Sequence, residues 1–219
     1  MILLFKRCAA LLLAGSVCLA TGCEMAGVAI ERASGGPTVK AKYVPAPKDS
    51  MLVLVESYGL ALDSGIEAQH LTLSLSRSLT DNKIAPVLNG QQLERLKDAD
   101  PREYHSMTIA DIGRKLGARQ ILYVNISRAE IVKPAGSGQM RGHMEATVKI
   151  VDSASADTRW PTDSSSERVQ ITTNWIPDNA NKTDSDVRAQ MADQMAEDIG
   201  KLFHDYHPDA EPMPTVNVD

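Results

Sequence analysis

The sequence predicts an α/β (α+β) sandwich: a single domain with a mixed sheet, helices packed on its faces and a long C-terminal helix. Three stretches predict it. Met51-Leu52-Val53-Leu54-Val55 is apolar without interruption, the mark of a strand covered on both faces. Ala68, Leu71, Leu75 and Leu79 then recur at helical spacing. Between Met140 and Ile150 apolar and polar residues alternate, which is the period of a strand with one buried face. A buried strand and helix followed by a one-sided meander implies a sheet with both parallel and antiparallel pairs.

The elements follow in order. Met51–Val55 reads as a central strand. Ser64 with Glu67 three residues on reads as a capping box at the start of the first helix, which Asp81-Asn82 can end. Ile84–Leu88 is a second strand, placed at an edge because Pro86 lacks a backbone donor. Asn89 caps a short helix with Leu93 and Leu96 inside. After a break at Pro101, Thr108 caps another helix with Asp111 at its third position. Its inward face is Ile109, Ile112 and Leu116, and Gly117 supplies the left-handed end. Gln120–Ile126 is the next strand. Ala135–Gly138 and Asp152–Asp157 are turns on either side of the alternating strand. Short strands follow through Arg159-Trp160 and Val169–Thr173. The last helix is expected from Asp184 to about Tyr206, with a stripe of Val187, Met191, Met195, Ile199, Leu202 and Phe203 and acidic residues in its first turn.

Ahead of this body the chain has a different character. Lys6 and Arg7 precede an uncharged apolar run from Cys8 to Ala20, too short for a membrane span and shaped as a signal peptide. The run ends in Leu19-Ala20-Thr21-Gly22-Cys23, which resembles the lipobox of bacterial lipoproteins. That resemblance implies cleavage before Cys23, a diacylglycerol thioether on its sulfur and acylation (palmitate or a similar chain) of the new amino terminus. The alternative is a secreted protein cut elsewhere, with Cys23 an ordinary thiol. Two or three acyl chains at ~0.8 kcal/mol per buried methylene anchor a protein durably, whereas one does not. In the lipoproteins that this stretch resembles, an aspartate after the cysteine retains the protein at the inner membrane, so the resemblance implies from Glu24 the outer membrane, with the domain facing the periplasm. The expected division is 1–22 signal peptide, 23–50 lipidated flexible tether, 51–207 domain and 208–219 loose tail. A flexible tether of that length spans about 30 Å.

Of the three cysteines, Cys8 and Cys18 leave with the signal and Cys23 is modified. The mature chain then has no disulfide, although its compartment permits one, and a hydrophobic core must hold the fold. Net charge is −5 and 43% of residues are hydrophobic. No basic nucleic-acid surface is visible in that composition.

The order of elements and three local stretches resemble the domain shared by the curli secretion lipoprotein CsgG and the amino-terminal part of TolB, with LpoB related. The stretches are Leu52–Val55 with the helix bearing Leu75 and Leu79, Ile112–Val124 as a helix–glycine–strand step, and Val148–Asp152 through Arg159-Trp160 as a strand–turn–strand closed by tryptophan. All three are packing patterns. The membrane-inserting hairpins of CsgG and the propeller of TolB have no counterpart here. The resemblance therefore implies a small envelope domain that contacts other proteins.

Chemistry-bearing motifs are sparse. His204 and His207, three apart at the expected end of the last helix, could share a face as metal ligands or simply suit a helix end. His143 reads as a solvated residue on a polar strand face, His70 as a neighbour of a helix stripe, and Asp152 as a turn residue. Ser164-Ser165-Ser166 lacks the surroundings of a nucleophile elbow. Gly136-Ser137-Gly138 lacks the lysine and helix of a phosphate loop. Asn125-Ile126-Ser127 fits the glycosylation pattern by chance, and Met191 and Met195 read as core. No catalytic, cofactor-binding or metal-ligating residue is assigned; Cys23 is the one site residue. The expected function is a lipid-anchored, non-enzymatic adaptor or assembly component of the bacterial envelope. Its partners would be the membrane and an envelope protein but no nucleic acid, with homo-oligomerisation left open. The alternatives are a regulator of a cell-wall synthase in the manner of LpoB, and an envelope hydrolase.

Overall fold

Strand β1, Met51–Glu56, begins the sheet, and its first five residues are buried. A computed structural model describes residues 38–57, 64–163, 165–178 and 181–208, the side chains of 64–66 excepted. Cys23, the expected signal peptide, the Ser64 side of the expected first capping box and the residues beyond 208 lie outside the described residues. The chain divides into two compact units. In one, residues 41–204 build the α/β body. In the other, the Val39 and Tyr206 backbones exchange hydrogen bonds of 2.8 and 3.0 Å, and Lys40 pairs with Asp205 at 2.7 Å.

The body carries a mixed six-stranded sheet with helices, as the sequence predicts. β1 lies parallel to β2, Gln120–Val132, and β2 runs antiparallel to β3, Gln139–Asp152. The far edge of β3 is shared in turn by β4 (Thr158–Trp160), β5 (Glu167–Thr172) and β6 (Ile176–Pro177). β1 is covered on both faces yet stands at the end of the ladder rather than in its centre. The expected second strand contributes one parallel bridge, Met51 to Val87, because the chain turns into a helix at Gly90. Pro86 accepts from the Met51 amide at 2.8 Å, a role that needs no donor.

Two long helices cover one face: α1, Ser64–Asp81, and α5, Asp184–Lys201. Leu71, Leu75, Leu79, Met191, Met195 and Ile199 are fully buried, against Val53, Val55, Leu122, Val124, Met144 and Val148, and Val187 is also fully buried. Each such side chain contributes about 1.5–3 kcal/mol. Gly142 allows α5 to approach β3, since a Cβ there would collide with Met191 and lie 3.0 Å from Val187 Cγ1. The other face is covered at one end only. There α2 (Gly90–Ala99), α3 (Pro101–Ser106) and α4 (Ile109–Leu116) pack on Leu52, Leu54, Ile121 and Val151. Thr108 and Asp111 form the expected capping box, and Gly117 ends α4 at φ 75°.

Four boundaries differ from the sequence reading. Pro101 starts α3 instead of only breaking the chain: Asp100 caps it by accepting the Arg102 and Glu103 amides, and proline suits the first helical position. β2 continues six residues past Ile126. A bulge between Ile126 and Arg128 reverses the alternation and hides it from a period-two reading. α5 stops at Lys201, short of Tyr206. The Leu202 and Phe203 amides close three-residue turns on Ile199 and Gly200, and the Leu202 carbonyl accepts from Lys42 and Tyr43 instead of from the next helical turn. Finally, residues 41–50 of the expected tether pack on the body. Tyr43 joins Trp160 and Phe203 in a ring cluster, with centroids 5.7–6.5 Å apart. Asp49 pairs with Arg159 at 3.0 Å.

Candidate functional site

Two surfaces of the body bring polar groups together. The first is a cleft of about 990 Å³ at the carboxyl end of β1, walled by α1, α2 and α3. Glu56 follows the buried run of β1 and points to the same side as Leu52 and Leu54. Tyr104 of α3, nearly buried, donates its hydroxyl proton to Glu56 Oε1 at 3.1 Å. The His105 ring meets Tyr104 edge-on at 5.7 Å, and Lys97 Nζ stands 5.8 Å from the Tyr104 centroid while bonding Glu94 at 3.0 Å. Thr72 on the opposite wall donates its hydroxyl to Ala68 O at 2.7 Å. The carboxyl end of a strand beside helix starts is a common ligand-binding place in open α/β sheets. Sequence reasoning missed this cleft because its walls come from separate elements. The readable hint was Glu56, an acidic residue closing an all-apolar strand.

The second surface is the sheet face that α2, α3 and α4 leave open. Alternation on β3 directs Arg141, His143, Glu145, Thr147 and Lys149 to it, opposite the buried row Met140 to Ile150. Arg128 and Glu130 of β2 and Arg168, Gln170 and Thr172 of β5 flank that row in register. His143 is not solvated as expected. Its side chain is 15% exposed and both nitrogens are engaged, Nδ1 with Thr172 Oγ1 at 3.0 Å and Nε2 with Glu145 Oε1 at 2.9 Å. Glu145 also meets Arg128 at 3.6 Å. The His143 hydrogen bond, ahead of the Arg128 charge, holds the Glu145 carboxyl below its ordinary range. Hydroxyl, imidazole and carboxylate thus stand in series. That order is the signature of an activated nucleophile, but here it lies on an open face and ties β3 to β5.

The remaining sequence candidates are dispersed. His70 is exposed on α1. His204 lies past the end of α5, its Nδ1 3.0 Å from Gly200 O. His207 pairs with Thr38 Oγ1 at 3.4 Å in the smaller unit. The shared helix face that a two-histidine metal site would need is therefore not formed. Asp152 acts as the expected turn residue. Its carboxylate accepts the Ala154 and Ser155 amides and pairs with Arg159, and these bonds, the Ser155 amide first, lower its pKa. Ser137 closes its turn on Pro134 O at 2.8 Å. Met191 and Met195 are core. Among the described residues no group of three His, Cys, Asp or Glu is placed to hold a metal ion, and no helix is long and apolar enough to cross a membrane.

No protein-family model matches the chain, and comparison with curated proteins gives no match. Among solved structures the chain is similar to lipoprotein GNA1162 from Neisseria meningitidis, at 15% identity and TM-score 0.44, covering 70% of this chain and 99% of that one. It is similar to the PelC dodecamer from Paraburkholderia phytofirmans at 12% identity and TM-score 0.40, over 77% and 96% of the two chains. It is also similar to protein CT253 from Chlamydia trachomatis at 11% identity and TM-score 0.39, over 71% and 97%.

Proposed function

We propose that this chain is a bacterial envelope lipoprotein, anchored through acylated Cys23, whose α/β body serves as a non-enzymatic adaptor or assembly component at the periplasmic face of the outer membrane. One observation carries the reading: a basic start, a short apolar run and small residues leading directly to Cys23. The sequence resemblance to the CsgG, TolB and LpoB domains supports a protein-contacting role.

Cells fed an alkyne fatty acid test the anchor. The wild-type chain should label and sediment with membranes, and intact mass should show a start at Cys23 with added acyl groups. Cys23→Ser should abolish the label. A labelled Cys23→Ser chain, or a wild-type protein recovered soluble with a free thiol, overturns the anchor. Cross-linking in intact cells followed by mass spectrometry tests the adaptor role, and a chain that cross-links to no other protein refutes it.

A further inference from the structure

We propose that the open face of the sheet docks an acidic segment of a partner protein; this rests on the adaptor reading and assigns the surface that performs it. The argument starts from charge. The chain as a whole is acidic, with 28 Asp and Glu against 23 Lys and Arg. On this face the balance is reversed: Arg128, Arg141, Lys149 and Arg168 stand against Glu130 and Glu145. Both of those carboxylates are engaged by Arg128, at 2.7 and 3.6 Å, and Glu145 also by His143. Arg141, Lys149 and Arg168 form no ion pair among the described residues. Arg141 instead lies 4.4 Å from the Trp175 ring centre and Lys149 lies 5.2 Å from that of Tyr123. Those rings hold the two cations in place without neutralising them.

Shape and composition point to the same kind of occupant. The strands of this face are mutually paired, so it presents side chains rather than free backbone. Trp175 is 43% exposed and Val132, in register with Arg141, is 44% exposed. A tryptophan and an arginine in contact, with a small apolar neighbour and a polar rim, is the make-up of a protein-binding hot spot. Acidic side chains of a partner would find three cations without a close ion pair along the face, of which Arg168 acts on Glu145 only through its field, and an aromatic anchor at one end. Charge complementarity of this type governs encounter rate and salt dependence.

Poly-L-glutamate is the probe, titrated against the full chain. Trp160→Phe leaves Trp175 as the sole tryptophan, so its fluorescence reports on the face directly. Saturable binding is expected, weakening steeply with added salt and falling about tenfold when Arg141, Lys149 and Arg168 are all changed to alanine. Arg168→Glu, a single exposed change, keeps the test valid should the triple variant misfold, and it should weaken binding alone. No binding, or binding indifferent to these changes, overturns the proposal. Preferential binding to vesicles containing phosphatidylglycerol overturns it in favour of a lipid surface. In cells, a photo-cross-linker at Gln170 should capture protein and one at Leu73 on α1 should not. Capture at Leu73 only refutes this face while leaving the adaptor reading intact. Capture at neither position refutes both.

Discussion

Arg188→Met should destabilise the body far more than Glu67→Gln, although both break the same ion pair. Glu67 sits in the first turn of α1 with its side chain 1% exposed, and Arg188 reaches it from α5 with 24% exposed. Glu67 Oε2 has no hydrogen-bond partner among the described residues, so the guanidinium is the main compensation for a carboxylate withdrawn from water. Removing one member of a buried pair costs ~3–5 kcal/mol when it strands the other. Arg188 keeps some contact with solvent, so the low end applies, about 3 kcal/mol. For a unit of this size that lowers Tm by about 8 °C. Glu67→Gln strands only the guanidinium, which can turn toward water, and costs about 1 kcal/mol. The double variant should lose about 2 kcal/mol instead of the additive 4, a coupling of about 2 kcal/mol. Urea unfolding followed by circular dichroism measures all three, provided that m is unchanged. Equal costs for the two single variants, or an additive cycle, would refute the claim that the buried carboxylate sets the asymmetry.

Three further outcomes are expected. Gly142→Ala should cost about 1–3 kcal/mol by driving a Cβ into Met191, and Met191→Ala should lower the urea midpoint less in the Gly142→Ala chain than in the wild-type chain. Glu145 and Asp152 ionise more readily folded than unfolded. Their contribution is therefore complete above their ordinary values, about 4.3 and 3.9, and is lost as pH falls through the lower folded values. A urea midpoint steady from pH 7 to 5 and declining below about 4.5 is the expected profile, and Asp152→Asn should flatten part of the decline. Tyr43→Ala should release residues 41–45 from the Trp160 and Phe203 rings, each ring pair contributing about 0.5–1.5 kcal/mol. Faster amide exchange at positions 42 and 43, with the sheet unaffected, is the readout.

The main elements of the body were legible because local chemistry and tertiary packing agree there. Leu71, Leu75 and Leu79 repeat every four residues, Met140 to Ile150 alternates, and Thr108 with Asp111 caps a helix wherever it occurs. The bulge after Ile126 was illegible because it reverses the alternation that reveals a strand. The end of α5 was illegible because the Leu202 carbonyl is claimed by amides 159 and 160 residues earlier in the chain. His143 looked solvated because its partner Thr172 becomes a neighbour only when β3 pairs with β5, whereas Glu145 lies two residues along the same strand.

By itself the sequence determined the fold class and the inward faces of the long helices, since each depends on spacing along a single segment. Only tertiary structure decided where polar groups converge. The Glu56–Tyr104 cleft and the cationic face from Arg141 to Arg168 are assembled from segments far apart in the chain, and pattern within a segment carries no information about which segment will lie beside it.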